Sequence, residues 1–485
     1  MDMIFELPNC NPTNARRPSA QAIYELLRSA ILNGELGGGC KLPPTRLSGK
    51  RFGLSRSTMV SIYERLSAED LIESRRGSGT YVSIRPHDLR RAGDRSGKAS
   101  PPAWIVHLME RKSGPSLGQT QQNHSSDAID LRPGVVDPRL FPFDQFRRSM
   151  AKALRHMERA PFVHGFEGRC QGELKLRRAI ADHVALTRAI ACSPDEVIIT
   201  AGAQKAIDVL ARTLVERGTT VVAIEGARHA THAEPFEAAG AEIRAVPVDR
   251  DGMVVDLIPD DANIICVSPS SQPFLGVALS ADRRRQLHAL SKERNCLLIE
   301  DDCGGELRTG GNPFKALYSL DPDRTFHVGT FSTSMIPSFR LGYLITPSWA
   351  IDPLISARRY GEWQSSSVMQ AAAASFIADG YLSAHIARMR TIYADRKQAL
   401  AEAIDTKFGE FLRPLPSVYG LQLSAIGNPA INWKSVADRA RRQHIHVDPL
   451  SQLCGAVPQS GLQFGIGVEP RERLKTAIER LAALI

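Results

Sequence analysis

Gly53-Leu54-Ser55-Arg56-Ser57-Thr58-Met59-Val60-Ser61-Ile62-Tyr63-Glu64-Arg65-Leu66 and, a few residues on, Leu71-Ile72-Glu73-Ser74-Arg75-Arg76-Gly77-Ser78-Gly79-Thr80-Tyr81-Val82 decide the fold of the first part of the chain. Ser55 sits where a helix N-cap belongs, and Met59, Ile62, Tyr63 and Leu66 then recur at helical spacing, so this segment is a helix with one buried face. The second stretch is strand, glycine turn and strand. Working upstream, Gly53-Leu54 is a turn, and the residues before it form a short helix that ends at Phe52 and that Thr45 is placed to cap. Earlier still, Ile23, Leu26, Leu27, Ala30 and Ile31 predict another amphipathic helix, which Asn33-Gly34 ends. Three helices followed by a β-hairpin make a winged helix-turn-helix, over residues 16–85.

Charge agrees with that reading. The chain carries 61 Lys and Arg against 52 Asp and Glu, a net +9. Of these, residues 1–125 hold 18 basic and 11 acidic side chains, so the excess is N-terminal and calls for an anionic partner. Between Lys41 and Ser61 five residues are basic (Lys41, Arg46, Lys50, Arg51, Arg56) and none is acidic. A cluster of this kind on a small helical module is often only a solvated face. Here cluster, cap, turn glycine and basic wing coincide, which points to double-stranded DNA, with the first turn of the second helix at the base edges and neighbouring cations on phosphates.

Residues 86–126 change character, mixing Arg, Asp, Ser, Gly and Gln around Pro101-Pro102, and read as a linker; about 40 residues of such composition span roughly 35 Å root-mean-square. From Ile129 the pattern becomes short apolar runs (Val197–Ile199, Val221–Ile224, Ile264–Val267, Leu297–Ile299) separated by helical segments such as Ala203–Leu214 and Asp282–Glu293. Continuous β-branched runs with helices between them predict an α/β domain with a parallel-rich sheet covered on both faces. The last hundred residues lose this rhythm and end in a helix over Pro470–Ile485, which predicts a smaller C-terminal α/β subdomain; residues 127–485 are one large domain on this reading.

Eight cysteines, with no Cys-x-x-Cys pair and several inside apolar runs, predict reduced thiols rather than disulfides or a zinc site. No stretch approaches the roughly 20 apolar residues of a membrane helix, and the acidic start at Asp2 and Glu6 lacks the order of a signal peptide. A cytoplasmic protein with no membrane partner is the expectation.

Specific motifs add a family to these classes. Leu42-Pro43-x-x-Arg46-Leu47, Gly53–Thr58, Tyr63-x-x-Leu66 and Gly77–Val82 together resemble the GntR-type winged helix over about 65 residues. The resemblance implies that Arg46 and Arg56 contact phosphates or guanine edges, that Ser55, Ser57 and Thr58 lie at the groove, and that Arg75, Arg76 and Gly77 form a wing reaching the minor groove. Downstream, Arg132-Pro133-Gly134, Gly172-x-x-x-Leu176-Arg177, Gly202-x-Gln204, Glu225, Ser268-Pro269-Ser270-x-Gln272, Glu300-Asp301-Asp302, Gly329–Ser332 and Arg340–Tyr343 are similar to fold-type I aminotransferases over about 355 residues, in the version joined to a GntR module in MocR-type (GabR-like) regulators.

Pyridoxal-phosphate chemistry needs a lysine amine, a carboxylate against the pyridinium nitrogen and an anion cup. The resemblance places the lysine immediately after Gly329-Thr330-Phe331-Ser332 and seven residues before Arg340, and there the chain has Thr333, which cannot form an imine. The nearest upstream lysine, Lys315, lies 18 residues earlier. The position of the cofactor-phenolate tyrosine is Cys303, that of the ring-stacking aromatic is His229, and that of the substrate-carboxylate arginine is Gln463. Asp301 keeps the pyridinium position, while Ser332, Arg340 and the Gly202–Gln204 turn keep a phosphate cup. The implied cofactor set is therefore Gln204, His229, Asp301, Ser332, Thr333 and Arg340, holding pyridoxal phosphate non-covalently at best. Another anionic ligand, or none, stays open.

Three functions follow. The first is a homodimeric transcription regulator whose aminotransferase-like domain senses a small molecule without catalysing transamination. The second, an active aminotransferase with an accessory DNA domain, is disfavoured because lysine, phenolate partner and arginine act as a unit and are lost together. The third is a dimeric DNA-binding scaffold without effector, against which the retention of Asp301 and Arg340 argues.

Overall fold

The computed structural model describes residues 19–83, 128–159, 170–226, 230–308, 315–362, 365–417, 420–450 and 460–485. The chain divides into two compact units, Met1–Ser113 and Gly114–Ile485.

In the first unit, α1 (Ala20–Leu32), β1 (Lys41–Leu42), α2 (Thr45–Phe52), α3 (Arg56–Ala68), β2 (Ile72–Arg75) and β3 (Gly79–Val82) follow in order. Ser19 caps α1, whose buried face is Ile23, Tyr24, Leu27, Ala30 and Ile31. Tyr24 thus takes the core position expected of Leu26, which is only half-buried. Its ring also carries the Arg65 guanidinium 3.8 Å from the centroid, a contact that aliphatic periodicity does not register. Thr45 is not a cap. It is the first helical residue of α2, with Pro44 at the cap position and no side-chain cap bond, because the fixed φ of proline already sets the extended entry. Gly53 closes α2 in the left-handed conformation (φ 68), which a residue with a Cβ adopts only under strain, and this makes the sharp turn into α3. The wing is three-stranded, because β1 adds to the hairpin along β3.

The second unit is built on a seven-stranded sheet of order β5-β13-β12-β11-β10-β6-β7. After β4 (Ile129–Asp130), α4 (Phe143–Arg159) and α5 (Leu174–Arg188), the strands and helices alternate: β5 (Val197–Thr200), α6 (Ala203–Leu214), β6 (Val221–Glu225), α7 (Ala230–Ala239) and β7 (Glu242–Val246). A short hairpin of β8 (Val248–Asp249) and β9 (Gly252–Met253) leads to β10 (Ile264–Val267), α8 (Ala281–Glu293), β11 (Leu297–Asp301), β12 (Thr325–Thr330) and β13 (Gly342–Ile345). All four runs singled out from the sequence are strands, and β5, β6 and β10 are buried at every position, as a sheet covered on both faces requires. One strand breaks the parallel pattern: β13 runs antiparallel to both β12 and β5. Apolar runs report burial and carry no direction, so the sequence cannot show this.

The remainder is α9 (Ile351–Gly361), α10 (Ser367–Ala378), the 28-residue α11 (Tyr381–Phe408), and an antiparallel sheet β14-β15-β18-β17 with α12 (Trp433–Arg442) and α13 (Arg471–Ala482). The strands of that sheet are β14 (Leu412–Pro414), β15 (Gln422–Gly427), β17 (Asp448–Pro449) and β18 (Gly461–Gly465), while β16 (Ile445–His446) pairs with β4. This subdomain has its own core, from Tyr393 and Leu400 through Trp433 and Phe464 to Ile478. What matters for function is the carboxyl edge of the large sheet, where Thr200, Glu225, Val267, Asp301 and Thr330 end their strands, since ligands in open α/β sheets bind outside such edges.

Candidate functional site

In the winged helix, pairing separates the basic residues into two sets. Arg28 is held by Glu69 at 2.7 Å, and Arg65 donates to Gln21 at 3.0 Å; both brace the face opposite the turn. Arg46, Arg56 and Arg76 are exposed and have no ion-pair partner among the described residues. Tyr63 fixes the geometry between α2 and α3, its hydroxyl donating to the Pro43 carbonyl at 2.8 Å and lying 3.0 Å from Ser48 Oγ. Burial raises that phenol above its ordinary range, so it stays a donor.

Ser55 is occupied as the N-cap of α3: its Oγ accepts from the Thr58 amide at 3.1 Å and lies 2.8 Å from both Ser57 Oγ and Thr58 Oγ1. Arg56 and Ser57 are exposed and Thr58 is half-buried. On the wing Arg75 bonds Glu73 and packs over Tyr81, 4.7 Å from the ring centroid, whereas Arg76 and Gly77 stand at the exposed tip. The eight residues expected at DNA are therefore on one small unit, and their local geometry leaves Arg46, Arg56 and Arg76 as the freest donors.

At the sheet edge of the second unit the residues form two groups. One is built around Asp301. Its Oδ2 lies 2.7 Å from His232 Nε2 on α7, and its Oδ1 accepts from the Cys303 amide at 3.1 Å. Burial alone would raise this carboxyl, but the hydrogen bond and charge of His232, helped by Cys303, pull it down to about 2. Asp301 is thus an anion at any physiological pH. Cys303 is half-buried, and desolvation followed by the Asp301 charge keeps its thiol protonated.

Immediately beside it Asp302 pairs with Arg188 and with Ser270 Oγ, while Arg188 also donates to Ser270 at 3.0 Å. Gly305 is required there: a Cβ would fall 1.5 Å from Arg188 Nη2. Glu225 accepts from the Ser268 amide at 2.8 Å. Burial, reinforced by the Asp301 charge and opposed by that amide, pushes its carboxyl up to about 8.

The second group is an anion cup. Gly202, with φ 90, is the cap of α6 and has no side chain to satisfy the first amides of the helix, so they face outward with the positive end of the helix dipole. Arg340, itself in the left-handed region at φ 49, brings its guanidinium to 3.6 Å from where a Gly202 Cβ would be. Gln204 is exposed on the first turn of α6. Ser332 and Thr333 lie in the turn after β12, where Thr330 donates to Ser332 Oγ at 3.0 Å and accepts from the Ser332 amide at 3.2 Å; Thr333 is half-buried. Lys315 is exposed, well separated in sequence from this turn. His229 lies outside the described residues. Gln463, on β18, spends its amide on the Pro273 and Phe274 carbonyls at 2.7 and 2.9 Å.

Family models match both units: the gntR family of bacterial regulatory proteins over residues 19–82, and aminotransferase class I and II over residues 143–481. Over 458 residues the chain is 31% identical to the probable rhizopine catabolism regulatory protein MocR of Rhizobium meliloti, covering 94% of this chain and 91% of that one. The chain belongs to the MocR-type transcription regulators. The pyridoxine biosynthesis regulator PdxR of Corynebacterium glutamicum is 29% identical over 482 residues, 99% of both chains. Among solved structures, an archaeal alanine:glyoxylate aminotransferase superposes with a TM-score of 0.69 at 22% identity, covering 79% of this chain and 95% of its own. The Pyrococcus horikoshii kynurenine aminotransferase does so with 0.68 at 23%, covering 82% and 97%. These last two establish the fold of the large domain. For this MocR-type regulator the named full-length relatives are transcription regulators, and DNA binding through the gntR module is its function.

Two parts of the site escape sequence reading. His232 has no flanking motif, and only the sheet edge reveals that it pairs with Asp301. The Arg188–Asp302–Ser270 cluster joins three elements far apart in the chain. Among the described residues no helix is long and apolar enough to cross a membrane.

Proposed function

We propose that this regulator reads DNA with residues 16–85 and senses a small anionic molecule with residues 127–485, the two joined by a tether over residues 86–126, and that the large domain does not transaminate. The observation that carries this reading is the combination of Thr333 in the turn after β12 with an intact Asp301–His232 pair and an intact Arg340–Gly202 cup. These residues support a frame for a pyridine phosphate, with Thr333 offering no amine to bond it.

The residues fit pyridoxal phosphate held without a covalent bond. Asp301, ionised by His232, would hold a protonated ring nitrogen. Arg340, the α6 amides and Ser332 would hold the phosphate. Gln204, at the first turn of α6, and His229 complete the proposed set. Bound in this way the cofactor supplies an electrophilic aldehyde to amines. The chain's part would be to bind and orient it, and Cys303, a half-buried and uncharged thiol, would offer it no phenol donor. Arg46, Ser55, Arg56, Ser57, Thr58, Arg75, Arg76 and Gly77 are the proposed DNA contacts, with Ser55 acting through its cap. A two-fold homodimer would present two α3 helices to half-sites about 34 Å or a multiple apart, and a ligand that favours one arrangement of the dimer would then change operator affinity.

Titration of the full chain with pyridoxal phosphate, followed by absorbance and by borohydride reduction with mass spectrometry, tests this. Saturable binding with no pyridoxyl-lysine is expected. A trapped adduct would overturn the non-covalent reading. Lys397 is the residue to inspect first, since burial in α11 lowers its ammonium to about 8 and leaves part of it neutral in mild base.

A further inference from the structure

The near-neutral total of the large domain conceals a helix of two opposed faces. On α4, Phe146, Ser149 and Ala153 are buried, and the Phe146 ring stacks on Phe339 with centroids 4.6 Å apart and planes 15° from parallel. On the other side Arg148, Lys152, Arg155 and Arg159 are all exposed. They recur at i, i+4, i+7 and i+11, so at about 100° per residue they fall within roughly 60° of arc and form a stripe about 16 Å long.

Pairing sets this stripe apart from several arginines of two other helices. On α8, Arg283 is held by Asp249 and Arg285 by Asp282; on α13, Arg471 is held by Asp395 and Arg473 by Glu469. Beside the stripe Arg147 pairs with Asp144, but Arg148, Lys152, Arg155 and Arg159 have no ion-pair partner among the described residues. Like charges at i, i+4 repel one another, and an anion supplied from outside relieves that repulsion. A stripe of four cations over about 16 Å matches a polyanion, and roughly five base-pair steps of duplex DNA cover that length.

Duplex DNA is also the polyanion this chain already holds. Residues 84–127, 44 in all, lie between the described parts of the two units, and 44 residues span at most about 150 Å, so DNA on the winged helix is tethered to the large domain. We propose that the Arg148–Arg159 face of α4 is a second, sequence-independent contact for the phosphate backbone, engaged by duplex that flanks the operator.

The test uses the full chain and a 60-base-pair duplex of arbitrary sequence, with affinity measured between 50 and 200 mM salt. Replacing Arg148, Lys152, Arg155 and Arg159 by alanine is expected to lower the slope of log affinity against log salt by about 3.6, at roughly 0.9 per phosphate contact. Lysine in place of the three arginines is expected to keep the slope, since only charge is required. The single variant Arg155→Glu, which leaves the buried face intact, is expected to lower it by about 1. An unchanged slope in Arg155→Glu overturns the proposal. So does a change in oligomeric state on sedimentation of the alanine variant, because the stripe would then be an interface between copies of this chain. Arg56→Ala acts on the winged helix alone and separates a failure there from a failure at α4.

Discussion

The winged helix and the sheet edge of the large domain both concentrate charged side chains, but they dispose of them in opposite ways. On the winged helix Arg46, Arg56 and Arg76 are left without ion-pair partners, while Arg28 and Arg65 are tied down on the other face. At the sheet edge the charges are consumed internally: Asp301 by His232, Asp302 by Arg188 and Ser270, and His183 by Glu306 at 2.5 Å. Arg340 is the exception, exposed beside the open end of α6. A surface of unpaired cations suits a large, replaceable polyanion. A buried, internally paired carboxylate with one open cation suits a small ligand that is charged at one end and aromatic at the other.

Four experiments would break or sharpen that contrast. The largest effect is expected from Thr333→Lys. With Asp301 and Arg340 in place, borohydride should trap stoichiometric pyridoxyl-lysine at residue 333, against none there in the parent. Failure to trap would mean that Cys303 and its neighbours have remodelled the pocket beyond covalent use. Next, Arg56→Ala should weaken operator binding about ten-fold or more with the melting temperature unchanged, in a gel-shift or anisotropy titration at physiological salt. Unchanged affinity would take Arg56 out of the interface.

Asp301→Asn should weaken pyridoxal phosphate about ten-fold, because it removes a charge-assisted bond to the ring while keeping the shape. Equal affinity in the two proteins would place the ring nitrogen elsewhere.

The smallest effect concerns Glu225→Gln. The folded value of Glu225, about 8, stands above an unfolded value near 4.3, so the parent loses stability as pH rises through that window, and the loss stops above it. Glutamine has no proton to lose. The difference in melting temperature should therefore move in favour of the variant between pH 5 and pH 8.5, and a difference that does not change with pH would show that Glu225 is not held protonated.

Much of this was legible in the residues. Val197–Ile199, Val221–Ile224, Ile264–Val267 and Leu297–Ile299 announce buried strands because continuous β-branched runs have no polar face to turn outward. Gly53, Ser55 and the Gly77–Gly79 turn announce the winged helix, since each occupies a backbone position that its chemistry favours. Other features depend on contacts distant in sequence. The direction of β13, the two-residue β1 and the preference for Tyr24 over Leu26 in the core all follow from neighbours that periodicity does not name. His232 is the clearest case at the site: a histidine in an alanine-rich helix says nothing until Asp301 is found 2.7 Å away. The stripe on α4 is hidden for a different reason: in the net charge of the region the acidic residues of other helices cancel it.

The central claim is that the pocket and the DNA module are coupled, and operator affinity of the full chain measured with and without saturating pyridoxal phosphate tests it most directly. Coupling free energies of about 1–3 kcal/mol correspond to changes of roughly 5–150-fold, and a change in that range, in either direction and abolished by Arg340→Ala, is the predicted result. Saturated pocket and unaltered operator affinity would contradict the account and leave the large domain as a scaffold.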